Sequence, residues 1–112
     1  MEICTRILGD AVILEISGHL TAEEVPLVRT AFSNAFPKYK NVVFDLKNME
    51  SLDSTGLGAL VSCLKTSKEK NGVLKLAALG NEPKMVFEIT QAYRIFSIYD
   101  NVEDAVESFK KS

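Results

Sequence analysis

The residues with the most potential for chemistry lie in one segment, residues 53–58, which reads Asp-Ser-Thr-Gly-Leu-Gly. No other part of the chain has small and hydroxylated side chains at this density. An apolar run at residues 42–44 precedes the segment, and Leu57, Leu60 and Leu64 follow at helical spacing, so the segment leads from a buried strand into a helix. Because ligands and partners of open α/β sheets gather at the carboxyl ends of the strands, we expect function in this loop.

Two interpretations of this segment need no covalent chemistry. Either Asp53 or Ser54 can cap the following helix by accepting hydrogen bonds from its first backbone N–H groups, while Gly56 and Gly58 let the helix approach the sheet closely. A loop that binds a free nucleotide is the second interpretation, since N–H groups at a helix start favour anions. The motif G-x-G-x-x-G would need a third glycine at position 61, which is Val61, and no G-x-x-x-x-G-K-[ST] occurs. Nucleotide binding therefore has little support.

The third interpretation makes the Ser54 hydroxyl an acceptor of covalent phosphate. Phosphorylation adds roughly −1.5 to −2 charges, which the N-terminus of a helix can stabilise. A partner packed over the loop would then have to desolvate that charge beside Asp53. A penalty of about 2.8 kcal/mol weakens binding roughly a hundredfold, so a regulatory switch of useful size is physically accessible here.

Serine hydrolysis is an alternative from another class, and it would use Ser54 as nucleophile and His19 as base. His19 is the only histidine and lies in the turn at residues 18–21, after the second predicted strand. The G-x-S-x-G elbow of α/β-hydrolases is absent, which disfavours this alternative. The two cysteines, Cys4 and Cys63, are far apart and make no metal-ligand spacing. We therefore expect no metal site and interpret both cysteines as buried free thiols.

The composition is that of a small globular protein. The 112 residues are 46% hydrophobic and 25% charged, as in ordinary folded proteins and unlike disordered chains. We therefore predict a single domain spanning residues 1–112. The net charge of −2 disfavours direct binding of nucleic acid. No apolar run is long enough for a spanning helix or a signal peptide, so we expect no membrane insertion and a cytoplasmic location.

Apolar runs predict five strands, the first two of which form a hairpin across a tight turn at Gly9 and Asp10. The strands are residues 2–8, 11–16, 42–44, 73–79 and 95–99. Stretches with helical spacing separate or follow the later strands. The order predicts an α/β fold with a mixed, mostly parallel sheet of about five strands and about four helices, joined by right-handed crossovers.

The helix boundaries follow from prolines and capping residues. The first helix begins near Val25, because the proline that follows is tolerated only in a first turn, and it ends before Pro37. Asn101 caps the last helix, and Lys110 and Lys111 lie at its end, as the helix dipole favours. The other helices are residues 54–70 and 81–93.

Three features together resemble the STAS domain of bacterial anti-sigma factor antagonists. They are residues 53–58 after an apolar strand, the Gly18-x-Leu20 turn after the second strand, and the alternating order of elements. The resemblance spans essentially the whole chain, and in that context the D-S-[STA]-G-L-G signature is fairly specific. It implies a single STAS-like α/β domain that acts by binding and is not an enzyme.

The resemblance further implies a partner switch that needs no cofactor of its own. The expected partner is an anti-sigma factor that is also an ATP-dependent serine kinase, and the binding of this partner releases the sigma factor. Phosphorylation of Ser54 turns the antagonist off, with Thr55 as the weaker candidate acceptor, and a serine phosphatase restores it. The chain is expected to act as a monomer.

The resemblance also implies which residues contact the partner. They lie in the loops at residues 18–21 and 53–58, and they are His19, Thr21, Asp53, Ser54, Thr55, Gly56, Leu57 and Gly58. Many members of the family carry an acidic pair, G-E-L-D, in the first loop, where this sequence has Gly-His-Leu-Thr. Because both acids are missing, a constitutive scaffold subunit of a signalling or transporter-associated complex is the alternative function.

Overall fold

The computed structural model describes residues 1–36 and 38–110. Pro37 and Lys111, which the sequence places after the first helix and at the end of the last, lie outside the described residues. The described strands are β1 (Glu2–Leu8), β2 (Ala11–Leu20), β3 (Asn41–Asp45), β4 (Met49–Leu52), β5 (Val73–Ala77) and β6 (Ser97–Tyr99). The described helices are α1 (Val25–Ala35), α2 (Ser54–Glu69), α3 (Asn81–Ile89) and α4 (Val102–Phe109), with a 3₁₀ turn at Ala92–Arg94.

The main sheet has the strand order β1-β2-β3-β5-β6, with β1 antiparallel to β2 and the other neighbours parallel. The remaining strand, β4, pairs in parallel with the last residues of β2, beyond the stretch of β2 that pairs with β3. This arrangement confirms the mixed, mostly parallel α/β sheet and its four helices, but the described sheet has six strands rather than about five. Only the first and last residues of β4 are buried, so its sequence carries neither an apolar run nor strict alternation.

Helices cover both faces of the sheet, which explains why β2 is an almost uninterrupted apolar run. Val12, Leu14 and Ile16 contribute to the larger core, together with residues of α1, α2 and α3. Ala11 and Ile13, on the opposite face, contribute to a smaller core that α4 closes. β2 is therefore an interior strand, buried on both faces, and it positions the segments at its carboxyl end.

Several predicted boundaries are confirmed by the structure. α1 begins at Val25 and α2 begins at Ser54. The side chain of Asn101 caps α4 by accepting a hydrogen bond from the backbone N–H of Asp104 at 2.7 Å. The sequence thus places the start of each of these helices correctly, because caps and prolines act locally.

Other boundaries differ, each for a local reason. β2 continues past residue 16 to Leu20 because β4 gives its end a pairing partner. β5 ends at residue 77 because Ala78 adopts the left-handed conformation, with φ 62°. α3 ends at residue 89 rather than 93 because Gln91 adopts the same conformation, with φ 61°. The last strand begins at Ser97, after the 3₁₀ turn.

The two cysteines lie in different environments. Cys63 is buried in α2, as predicted, but the prediction for Cys4 is wrong, because this residue is exposed on β1. Cys4 pairs with Glu15 on a face of the sheet where α4 packs only farther along, over Ala11 and Ile13. Among the residues that the structure describes, no helix is long and apolar enough to cross a membrane.

Candidate functional site

The pairing of β2 with β4 brings the two predicted loops together. His19 lies opposite Ser51 and Leu20 lies opposite Leu52, so the end of β2 runs beside the strand that leads into residues 53–58. The backbone N–H of Asp53 also donates a hydrogen bond to the carbonyl oxygen of Leu20, at 3.2 Å. The site is therefore held by the sheet itself and does not depend on a free loop.

Asp53 caps α2. Its backbone is extended, with φ −97° and ψ −176°, and its Oδ1 accepts a hydrogen bond from the N–H of Gly56 at 2.8 Å. The N–H of Leu57 donates to the carbonyl oxygen of Asp53 at 2.9 Å. The sequence allows either Asp53 or Ser54 to cap α2. In the structure Asp53 is the cap, and the Ser54 hydroxyl does not cap the helix.

Ser54 is the first residue of α2, a helix of 16 residues, and its side chain is exposed. The N–H groups of Gly56 and Leu57 are satisfied by Asp53, whereas those of Ser54 and Thr55 have no hydrogen-bond partner among the described residues. Unsatisfied N–H groups and the helix dipole together favour a negative charge at this position. A phosphate on the Ser54 oxygen would therefore be added where the backbone can accommodate it.

The two glycines of the segment have different roles. A Cβ atom on Gly56 would lie 2.8 Å from Cγ of Leu20 and still closer to the carbonyl oxygen of Leu20, so glycine allows the first turn of α2 to meet the end of β2. A Cβ atom on Gly58 would meet nothing within 4 Å. The expectation that both glycines permit close packing is right for Gly56 and wrong for Gly58.

The predicted partner-binding residues divide by exposure. Gly56 and Leu57 are buried, so they shape the segment from beneath, and Thr21 is half-buried. The remaining five are exposed, and we call them the Ser54 surface: His19, Asp53, Ser54, Thr55 and Gly58. This surface has one acidic side chain, Asp53, and one imidazole, His19.

The side chain of His19 contacts β4 and not Ser54. Its Nδ1 atom lies 2.7 Å from Oγ of Ser51, and its Nε2 atom lies 3.7 Å from Oε2 of Glu50. The nucleophile and base that a Ser54 hydrolase would need are therefore not paired among the described residues, and the geometry gives that alternative no support. Sequence reasoning missed Ser51 and Glu50 because it missed β4.

The described residues also offer no cluster of three or more histidine, cysteine or carboxylate side chains that could hold a metal ion. Farther along α2, burial raises the pKa of the Cys63 thiol to about 11, an effect partly offset by the positive charge of Arg29. A thiol with this pKa is a poor nucleophile at neutral pH. Cys63 therefore belongs to the packing of α2 against α1.

A STAS domain family model matches residues 2–105, and the chain belongs to the STAS domain family. The anti-sigma-B factor antagonist of Bacillus subtilis is 29% identical over 94 residues, which cover 84% of this chain and 86% of that protein. The crystal structure of TM1081 from Thermotoga maritima is 29% identical and has a TM-score of 0.87, covering 95% of this chain and 92% of that chain.

A more distant structural relative is SpoIIAA, a Bacillus cell fate determinant solved in its phosphorylated form. It is 17% identical, with a TM-score of 0.72, and the alignment covers 96% of this chain and 99% of that chain. At this identity the likeness is one of fold.

Proposed function

We propose that this STAS domain is an anti-sigma factor antagonist whose binding to its partner is controlled by phosphorylation of Ser54. The unmodified form binds an anti-sigma factor that is also a serine kinase and so releases the sigma factor. Phosphorylation ends that binding, and a serine phosphatase reverses the modification. The domain acts by binding alone, and ATP is bound by the kinase partner.

The relatives support the class of partner. The Bacillus subtilis relative is named for antagonism of an anti-sigma-B factor, and another relative, from Paenibacillus polymyxa, is named for antagonism of an anti-sigma F factor. A phosphorylated form of SpoIIAA shows that a protein of this fold accepts a phosphate group. In this chain the Asp-Ser-Thr-Gly-Leu-Gly segment has an exposed serine hydroxyl at the start of α2, which is the acceptor that we propose.

The single observation that carries the proposal is that Asp53, and not Ser54, caps α2, so the exposed Ser54 hydroxyl is not needed for the cap. Because the Asp53 carboxylate caps α2, phosphorylation of the exposed Ser54 hydroxyl leaves the cap in place. The modification would change the charge of the Ser54 surface without unfolding the helix. Thr55 is also exposed and is the second candidate acceptor.

A partner that covers the Ser54 surface must remove it from water. The unmodified surface already presents the Asp53 carboxylate, so an added phosphate concentrates negative charge at the contact. A loss of about 2.8 kcal/mol in binding free energy lowers affinity roughly a hundredfold. A phosphate on Ser54 that costs the complex this much would be sufficient for the switch.

The test is to isolate the protein from its native cells under several growth conditions, map its phosphorylated residues by mass spectrometry and identify the proteins that copurify. We expect phosphate on Ser54 that varies with growth condition, and a kinase-like anti-sigma factor recovered with the unmodified form. Phosphate found on Thr55 alone would mean that Thr55, and not Ser54, is the acceptor. An unmodified Ser54 in every condition, with a transporter or scaffold complex recovered instead, would overturn the switch in favour of a constitutive interaction module.

A further inference from the structure

The two edges of the main sheet differ in how they are protected. β6, at one edge, is three residues long, and short edge strands offer little template for further pairing. β1, at the other edge, has seven residues, is paired without a register shift over its whole length, and contains neither proline nor lysine. Natural edge strands are commonly blunted by bulges, proline or charged side chains. β1 has no bulge and no proline, so its outer edge is open to a strand that complements its two charges, Glu2 and Arg6.

The turn between β1 and β2 determines which backbone groups face outward. Leu8 and Ala11 are paired across the two-residue turn, in which Gly9 has φ 62°, as the first position of a type II′ turn requires. In such a hairpin the closing pair is hydrogen-bonded, and hydrogen-bonded pairs then alternate along the strands. The free edge therefore presents the N–H and C=O groups of Ile3, Thr5 and Ile7.

We propose that the β1 edge binds a second copy of this chain, by antiparallel pairing of the two β1 strands about a two-fold axis at Cys4. This register places Glu2 of each copy opposite Arg6 of the other, so two pairs of opposite charge form across the axis. A register centred on Thr5 would instead place Arg6 opposite Cys4 of the second copy, and Glu2 opposite Leu8. Charge complementarity favours the register centred on Cys4.

In the same register, side chains on one face of the first sheet lie opposite side chains on the corresponding face of the second. The faces of the two sheets therefore continue into each other. Ile3, Thr5 and Ile7 lie on the face that carries α1, where they line an apolar groove of about 620 Å³. Ile7 is 57% exposed in this groove and Leu27 of α1 is 51% exposed. Pairing of the β1 strands would continue this apolar face into that of the second copy and cover part of it.

Arg6 has more N–H donors than its contact within the chain uses. Its Nε atom donates a hydrogen bond to Oε1 of Glu15 on β2, at 2.8 Å, and both side chains remain about two-fifths exposed. In the proposed dimer, Arg6 would lie between Glu15 of its own chain and Glu2 of the second copy. The proposal concerns the β1 edge alone and does not depend on phosphorylation of Ser54.

The first test is sedimentation velocity over a range of protein concentrations. We expect the mass to rise from 12.4 kDa toward twice that value for the native chain. We expect Arg6→Glu, which sets like charges opposite each other, to weaken dimerisation about tenfold or more, and Glu2→Arg with Arg6→Glu in one chain to restore it. Glu15→Gln is the matched control, because it removes only the pair within one chain, and it should still dimerise.

The second test fixes the register by oxidising the native protein with copper phenanthroline and air. Cys4 faces itself across the axis, so we expect a disulfide-linked dimer from the native chain and none from Cys4→Ser. The double variant Cys4→Ser with Thr5→Cys should remain uncrosslinked, since Thr5 faces Ile3 of the second copy. Crosslinking of that double variant alone would overturn the register. A protein that stays monomeric at all concentrations up to about 1 mM, the weak end of specific association, would overturn the proposed dimer. Dimerisation that Arg6→Glu leaves unchanged would overturn the proposed interface.

Discussion

Gly56 in the first turn of α2 packs directly against Leu20 at the end of β2, at a separation that leaves no room for a Cβ atom. Such an atom would lie 2.8 Å from Cγ of Leu20 and closer still to its carbonyl oxygen. The hydrogen bond from the Asp53 N–H to that same carbonyl oxygen joins the two elements at the same point. The position of Ser54 is therefore set by a contact between a helix and β2, an interior strand of the sheet.

Replacement of Gly56 by alanine tests this contact. We expect Gly56→Ala to destabilise the fold by about 1–3 kcal/mol, because the methyl group forces α2 away from Leu20. Gly58→Ala is the matched control in the same helix, and it should stabilise by up to ~1 kcal/mol, since the site is open and alanine favours helix. Urea denaturation of both variants measures these changes. Equal effects of the two substitutions would contradict the packing role of Gly56.

The assignment of the cap to Asp53 makes a second prediction. Asp53→Ala should lower the free energy of unfolding by about 1 kcal/mol, because the N–H of Gly56 loses its acceptor. Ser54→Ala should change it by less than ~0.5 kcal/mol, since the Ser54 side chain caps nothing. Thermal or urea unfolding of the two variants side by side separates these effects. A larger loss for Ser54→Ala would mean that the serine is the cap.

Much of this fold can be predicted from the sequence because its elements are specified locally. Val25 and Asn101 mark helix starts through proline and capping preferences, and β2 is recognisable from its apolar run. The start of α2 at Ser54 follows from the same rules. These signals need no knowledge of the partners that each element packs against.

The contacts that complete the site could not be predicted, because they depend on pairing between distant segments. β4 is too short and too irregular in its burial to be recognised, and without it the hydrogen bond between His19 and Ser51 has no basis. The exposure of Cys4 likewise depends on how far α4 extends over the sheet. The residues next to Cys4 in the sequence do not determine that extent. Tertiary arrangement decides these features.

The proposed switch predicts opposite outcomes for two substitutions of Ser54. Ser54→Ala should bind the anti-sigma partner as tightly as the native chain and should accept no phosphate. Ser54→Asp should bind about tenfold or more weakly, because a fixed negative charge then lies beside Asp53 in the contact. Isothermal titration calorimetry with the partner recovered from native cells measures both affinities.

The control for that measurement adds the same charge away from the Ser54 surface. Ser97→Asp alters an exposed position on β6, so its affinity for the partner should match that of the native chain. Equal affinities for Ser54→Ala and Ser54→Asp would contradict electrostatic control of binding. Equal weakening by Ser97→Asp would show an effect of net charge rather than of the site.

Because the Cys63 thiol is buried, the stability of the fold varies with pH in the alkaline range. Its pKa is raised by burial from 9.0 to about 11 in the folded chain, whereas the unfolded chain exposes the thiol to water. Between these two values the unfolded state binds fewer protons than the folded state. The free energy of unfolding therefore falls as the pH rises through this window, and is unaffected by this group below it.

We expect this contribution to reach on the order of 2 kcal/mol across the window, and it is best measured as a difference between variants. In a Cys4→Ser background, the stability advantage over the same chain with Cys63→Ala should be constant at neutral pH and shrink between pH 9 and 11. Lysine and tyrosine titrations are common to both proteins and cancel. Urea denaturation at each pH supplies the values, and a constant advantage up to pH 11 would show that the buried thiol does not resist ionisation.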